Sequence, residues 1–566
     1  MRPAAPAAAR ARHAGWRTVV LSLLLSLPLA SAATDAPVRV FERTLPAGAN
    51  QVHTLQLRAG DFVSGALEVG HGPSPQLWLE GAATGPRRRL AEPGIPDDFM
   101  FVAAHDGPAD LRVQGGDAPA RYVIRIDRVL PAQAQVAPVE RLRSPRLQAL
   151  REQLAAGGST TSFWEQVARD GTPLLETVDG KTLATFLWRG ARHNVRLFAA
   201  PSGEIEDLQR LDGSDVWFGT WEVPADTRMS YQLAPDVPAL PEGGRAARRA
   251  VLATVQRDPL NPRTWPDDAP DDYARESILE LPAAPAQRAL WPGLHPAGAL
   301  EHHRLASPRL GNTRDISVYR SPGYREGDPR NVMLVVFDGY YYQTLIPTPT
   351  ILDTLVGEGA LPPVLAVLVS NPDADARARE LPCNRDFGDF LARELLPWVQ
   401  ARAGALPPGS RTALAGASYG GLASACVALQ HPQRFGNVLS QSGSFWWAPQ
   451  AAEGQVQEEP EWLARRYAAT PRQPIRFWLE AGHFETGKGQ DGILETNRHL
   501  RDVLQARGYD VQYREFSGGH DWYHWRGTLA DGLVALLGER ATASAPAISA
   551  SAGSTTAAPA AASALD

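Results

Sequence analysis

Gly416-Ala417-Ser418-Tyr419-Gly420 constrains this chain more than any other stretch. The small apolar run Thr412-Ala413-Leu414-Ala415 precedes it, and a small-residue segment from Leu422 to Leu429 comes after it with helical character. Strand, G-x-S-x-G turn and helix in that order describe a nucleophile elbow. The turn is tight enough that the positions two before and two after the serine must lack bulk. The serine hydroxyl is thereby pushed out at the strand tip. A glycine-rich turn can also serve packing alone, so the reading depends on a base and an acid further along.

The surroundings fit an α/β arrangement. From 301 to 539 strand-like and helix-like segments alternate. Val332 to Phe337, Val364 to Val369 and Arg476 to Leu479 read as strands, and helical stretches such as 386–402 lie between them. Such alternation implies a mostly parallel sheet covered by helices. Ligands of these sheets bind beyond the carboxyl ends of the strands, where the elbow places Ser418.

The chain has 566 residues, too many for one core, and 44% of them are apolar. Residues 1–32 read as a secretory signal peptide. Arg2, Arg10, Arg12 and Arg17 precede the apolar stretch Val19 to Leu29, and Ala30-Ser31-Ala32 offers a cleavage site. That apolar run is short for a bilayer span, and no other segment approaches that length. The mature chain is therefore expected to be exported, periplasmic or secreted, with no transmembrane segment. Net charge is −6, which disfavours wholesale binding of nucleic acid.

Residues 33–130 show short alternating runs, such as Val52 to Leu57 and Tyr122 to Ile126, split by Gly, Asp and Pro clusters. They are expected to form a small β-sandwich-like domain. A linker is expected over 131–157. A second β unit over 158–240, with Thr182 to Trp188, Asn194 to Phe198 and Asp215 to Trp221, fits an immunoglobulin-like sandwich. A Pro/Ala-rich connector over 241–300 leads to the last domain. Residues 540–566 form an Ala/Ser/Pro tail that cannot bury enough apolar surface to order itself. The only cysteines are Cys383 and Cys426. Export permits a disulfide, but sequence leaves their pairing open. Without a histidine cluster they make no zinc site, and no metal or cofactor is expected.

A serine hydroxyl needs a base within hydrogen-bond reach. His520 is the expected base. It comes after strand-like Val511 to Phe516 and the Ser517-Gly518-Gly519 turn, and it precedes a helical run near Trp525. His524, one helical turn on, is its rival. The acid belongs between serine and histidine in this chain order. Glu485 lies beyond the Trp478-Leu479-Glu480 strand end, after Gly482-His483-Phe484, with Glu480 and Asp491 as alternatives. The oxyanion donors are expected to be the N–H of Tyr419 and that of Tyr340, in the loop after Phe337. Tyr340, Tyr341 and Tyr342 read equally as a substrate wall or a local apolar cluster.

Beyond the elbow, Leu381-Pro382-Cys383-Asn384, Leu439-Ser440-Gln441-Ser442-Gly443-Ser444-Phe445-Trp446-Trp447, Gly518-Gly519-His520-Asp521 and Asp258-Pro259-Leu260-Asn261-Pro262 resemble the enterochelin (enterobactin) esterase family. Phe186-Leu187-Trp188-Arg189-Gly190 and Asp215-Val216-Trp217 resemble that family's N-terminal domain. The resemblance covers about 160 to 539, and the Ser440 to Trp447 string is its most specific part.

It implies an α/β hydrolase preceded by an immunoglobulin-like domain, and a triad of Ser418, Glu485 and His520; with the 33–130 unit, the chain is expected to be an α/β hydrolase preceded by two β-sandwich-like domains. It also implies hydrolysis of the trilactone of ferric catecholate siderophores, with iron entering only as part of the substrate. Arg377 occupies the family's Arg-x-x-Glu-Leu place and is implied to contact substrate. A ferric tris-catecholate is an aromatic trianion, so Trp446, Trp447, Trp522 and Trp525 are further substrate-binding candidates. The leader and the extra β-domain depart from the family's two-domain members. An exported esterase acting on a feruloyl or acetyl ester, and a non-catalytic siderophore- or glycan-binding protein, are the competing readings. The sequence says nothing of oligomeric state.

Overall fold

The computed structural model describes residues 39–538 apart from 92–97, 133–141, 239, 241–248, 451–458 and 488–491. The expected leader at 1–32, the tail at 540–566 and Asp491 lie outside the described residues.

Alternating patterns become two-sheet sandwiches in the first half of the chain. Strands such as Gln76–Glu80 bury every second side chain, so each sheet turns one face inward. One sheet runs Arg39–Leu45, Ala120–Leu130, Phe62–His71, Asp98–Val102. The other runs Asn50–Leu57, Gly107–Gln114, Gln76–Glu80, Arg88–Ala91. Leu67, Leu77, Leu111, Tyr122 and Ile124 fill the space between them.

The middle domain extends past its expected limits at both ends. Its sheets are Gln209–Arg210, Val216–Val223, Lys181–Arg189, Leu174–Val178 and Glu206–Asp207, Val195–Phe198, Arg228–Pro235, Glu276–Glu280, Thr264–Trp265. The last two strands come from the stretch expected to be a connector. Within the expected linker, Pro145–Ala155 is a helix capped by the Ser144 hydroxyl, and its Leu147 and Leu150 pack on Leu187 and Phe218 of this domain.

The last domain carries eight strands: β1 (Ala299–Ser307), β2 (Asn312–Arg320), β3 (Val332–Phe337), β4 (Val364–Val369), β5 (Thr412–Ala417), β6 (Asn437–Gln441), β7 (Arg476–Gly482) and β8 (Asp510–Phe516). Their spatial order is β1-β2-β4-β3-β5-β6-β7-β8. The first two pairings are antiparallel and the remainder parallel. Strands β3 to β6 are buried at every position, as a sheet covered on both faces requires. Two helices start directly beside the expected catalytic residues: α1 (Tyr419–Gln430) after Ser418, and α2 (Trp522–Leu537) just past His520. Cys383 and Cys426 are disulfide-bonded with Cα atoms 5.2 Å apart, which settles the pairing that sequence leaves open. Among the described residues no helix is long and apolar enough to cross a membrane.

Candidate active site

Ser418 sits between β5 and α1 with φ +57° and ψ −121°, a backbone state few residues other than glycine adopt. Neighbouring strands hold it there. Its N–H donates to the Gln441 carbonyl at 3.0 Å, and its own carbonyl accepts from Ser444 N–H at 3.1 Å. A Cβ at Gly416 would lie 2.7 Å from the Gly420 backbone, and one at Gly421 would lie 2.4 Å from Ser440 Oγ. At Gly420 the nearest atom is 3.4 Å away. The steric demand thus falls on Gly416 and Gly421, not on Gly416 and Gly420 as the bare pattern implies.

Acid and base meet at the ends of β7 and β8. His520 Nδ1 and Glu485 Oε1 are 2.6 Å apart. The other carboxylate oxygen accepts from the Ser442 hydroxyl at 2.7 Å and from Gly482 N–H at 2.6 Å. Ser442 Oγ in turn accepts from Trp525 Nε1 at 3.1 Å, and the indole stands edge-on to the His520 ring with centroids 4.7 Å apart. The imidazole is therefore fixed from two sides, while 40% of its side chain stays exposed. Its partner carboxylate is almost fully buried. Ser418 Oγ is hydrogen-bonded to Ser444 Oγ at 3.2 Å and has no hydrogen bond to His520.

The rival groups lie elsewhere. His524 is buried and stacked on Phe516 at 3.7 Å, and burial pushes its pKa down to about 3. Glu480 is buried behind the site, where it accepts from Gln441 Nε2 at 2.9 Å and Trp478 Nε1 at 3.1 Å. Burial pushes its carboxyl up to about 7.

On the other flank, Gly339 N–H is spent on the Val369 carbonyl at 2.9 Å. Tyr340 comes next, 51% exposed, as the residue leading into the Tyr341–Thr344 turn. Tyr419 opens α1, so its N–H belongs to the outward-facing set at the helix N-terminus. Arg377 is engaged bidentately by buried Asp338, at 2.7 and 2.8 Å, and its guanidinium lies 5.7 Å from the centre of the Tyr419 ring. Burial works against its charge, but the Asp338 carboxylate more than offsets that and raises the pKa. Tyr342 is core, with its hydroxyl donating to Gln441 Oε1 at 2.8 Å.

A cleft of about 330 Å³ opens beside His520 and Glu485. Trp446 and Phe484 line it together with Phe198, Gly203 and Ile205 of the middle domain. Of the four expected tryptophans only Trp446 lines it, 37% exposed. Trp447 instead packs against Trp462 with centroids 6.0 Å apart. Trp525 is buried in the core beneath His520, and Trp522 packs between Tyr341, at 5.2 Å, and Trp525, at 5.1 Å. These three belong to the framework because their rings are taken up by packing against other aromatic side chains. Arg377 does not line the cleft either.

Sequence assigns no role to Ser442, Ser444 or Asp521, although each lies in a string that carries the family resemblance. Asp521 caps α2 through Tyr523 N–H at 2.8 Å and also accepts from Ser230 of the middle domain. Phe198, Ile205 and Ser230 carry no local signal at all.

An eight-stranded sheet with a strained serine at the β5–α1 elbow, and a Glu–His pair beyond β7 and β8, defines an α/β-hydrolase-type carboxylic ester hydrolase. The esterase family model matches residues 307–536, and the model for the enterochelin esterase N-terminal domain matches residues 183–290. The iron(III) enterobactin esterase of Dickeya dadantii is 32% identical over 66% of this chain and 92% of its own. The iron(III) salmochelin esterase of Escherichia coli is 29% identical over 69% of this chain and 97% of its own. The ferric enterobactin esterase structure from Salmonella typhimurium superposes with a TM-score of 0.54, at 29% identity, over 66% of this chain and 98% of that one. The chain belongs to the enterochelin esterase family.

Proposed function

We propose that this protein hydrolyses the trilactone ester bonds of ferric enterobactin-like catecholate siderophores and so promotes iron release. The observation carrying the reading is the His520–Glu485 hydrogen bond in the wall of a cleft that Trp446 also lines, in a chain whose relatives are named for that substrate. In this mechanism Ser418 exchanges its Ser444 partner for His520 as substrate enters. Its Oγ attacks a lactone carbonyl while His520 Nε2 takes the proton, and Glu485 stabilises the imidazolium through Nδ1–H. The N–H groups of Tyr419 and Tyr340 receive the developing oxyanion. The ester C–O bond then breaks, and the leaving alkoxide takes the proton from His520. Water, deprotonated by the same imidazole, releases the acyl group and restores Ser418.

Trp446 offers an aromatic face for a catecholate. Arg377, tied to Asp338, contributes positive charge near Tyr419 rather than a free clamp. Iron belongs to the substrate. The proposal includes export to the periplasm or beyond. The charged–apolar–small layout of residues 1–32 and the Cys383–Cys426 disulfide support an oxidising compartment.

Purified protein and its Ser418→Ala variant, incubated with ferric enterobactin and with a feruloyl ester, test the reading by mass spectrometry of products. Linear and monomeric dihydroxybenzoylserine products from the parent alone are expected. Cleavage of the feruloyl ester alone, or siderophore binding without products, would overturn it.

A further inference from the structure

Residues 39–130 lie outside both matching family models, yet this sandwich is joined to the middle domain through a built interface. Phe62 is 1% exposed and packs with Val237, Val251 and Val255 of the middle domain in one apolar cluster. Beside it, the buried Arg88 guanidinium donates to the Ala253 and Leu252 carbonyls and stacks over the Tyr273 ring at 3.9 Å. Arg249 pairs with Asp98 across the same boundary. An arginine satisfied by the neighbour's main chain fixes orientation as well as distance.

The same apolar cluster takes in Met100 from the sandwich and Phe198 and Ile205 from the middle domain. Phe198 and Ile205 bracket the loop that walls the cleft beside His520. That loop is seated just as closely on its far side. A Cβ on Gly203, at φ +77°, would lie 2.0 Å from the Phe484 carbonyl oxygen, so only glycine allows the approach. Thus Phe198 and Ile205 pack on the apolar cluster that Phe62 enters and also line the cleft.

We propose that the N-terminal sandwich, through Phe62 and Met100, positions the 198–205 loop and thereby sets affinity for a bulky substrate without taking part in ester cleavage; the choice of substrate rests on the function proposed above. A small ester needs only the elbow, the Glu–His pair and the oxyanion donors. A tris-catecholate fills the cleft and senses the loop. Loosening the sandwich contact therefore acts on binding of the large substrate alone.

Full-length Phe62→Ala and the milder Met100→Ala are compared with the parent on ferric enterobactin and on p-nitrophenyl acetate, with hydrogen exchange monitored over 198–205. For the siderophore, KM is expected to rise about fivefold or more with kcat held, while kcat/KM for the small ester stays within about twofold. Faster exchange in 198–205 should accompany that rise. An unchanged siderophore KM in both variants overturns the proposal. So does a parallel loss on both substrates in both variants, which would mark a merely structural role. If the parent itself leaves ferric enterobactin intact, the function reading fails separately. Exchange over 198–205 then decides, faster in the variants for the proposal and unchanged against it.

Discussion

Ser230 and Asp521 stand 291 positions apart and meet through two hydrogen bonds, backbone N–H to Oδ2 at 2.5 Å and hydroxyl to Oδ1 at 2.8 Å. Asp521 is the residue directly after His520, so the middle domain grips the loop that presents the imidazole. Arg228 N–H adds a third tie, to the Ser517 carbonyl at 2.9 Å. The middle domain thus holds the turn that carries the proposed base, where a small displacement would cost most.

Replacing Asp521 by Ala removes the α2 cap and leaves the Ser230 backbone N–H without its acceptor in a buried interface, while the Ser230 hydroxyl keeps Glu276 within reach. The orphaned N–H costs about 1–3 kcal/mol, and the lost cap about 1 kcal/mol. Because His520 shifts with the turn, kcat is expected to fall ~10–10²-fold with little change in KM. Ser230→Ala keeps the backbone bond and should lose only ~5-fold. Steady-state kinetics on one ester, with melting curves to confirm folding, measure both.

Glu485 and Ser442 give a graded pair. Glu485→Gln preserves shape but presents an amide where Nδ1–H, Ser442 O–H and Gly482 N–H all need an acceptor. A fall in kcat of ~10³–10⁴-fold is expected, as when a triad carboxylate becomes an amide. Ser442→Ala removes one of three donors to Glu485 and the acceptor for Trp525 Nε1, and should cost ~10-fold. A Ser442→Ala enzyme as impaired as Glu485→Gln would contradict this ordering.

Only part of this arrangement is legible in the sequence. The elbow, His520 and Glu485 are legible because each lies within a few residues of a strand end, so local pattern fixes position. The eight-strand sheet is legible because fully buried strands such as Val364–Val369 leave continuous apolar runs. Trp447 and Trp525 mislead because a large aromatic carries no local mark of whether it faces a cleft or the core. The strand Glu276–Glu280 is hidden in a Pro/Ala-rich stretch, since its pairing with Arg228–Pro235 is a tertiary fact. Ser230 and Phe198 are invisible for the same reason, since Ser230 bonds Asp521 of the last domain and Phe198 packs on a cluster shared with the sandwich.

Glu480 supplies a pH signature. Its folded pKa, raised to about 7 by burial, lies above the ordinary carboxyl value of 4.5. Between those values the folded state holds more protons than the unfolded one, so this group's contribution falls as pH rises. The loss amounts to about 3 kcal/mol across the window. His524, with its pKa lowered to about 3, acts oppositely below pH 6.5. Subtracting Glu480→Gln from the parent isolates the Glu480 share. Denaturant titrations from pH 4.5 to 8 should show the variant, after a baseline loss because its amide N–H₂ faces Trp478 Nε1, gaining stability relative to the parent as pH rises from 4.5 to 7. Parallel profiles would count against a titrating Glu480.

The disulfide joins Cys426 of α1, about two helical turns past the nucleophile, to Cys383 just beyond the Arg377 helix, a separation of 43 residues. Chain-entropy arguments assign a loop of that length about 4 kcal/mol of stabilisation, an upper figure because reduced chains retain structure. Cys383→Ser/Cys426→Ser should therefore lower unfolding free energy by about 2–4 kcal/mol. The Glu485–His520 geometry lies on other strands, so kcat for a small ester is expected to hold within about twofold at temperatures where the variant stays folded. Denaturant unfolding with and without reductant, alongside the double variant, measures the cost. Equal stability in all three samples would show that the cross-link contributes nothing to holding the nucleophile helix against the Arg377 segment.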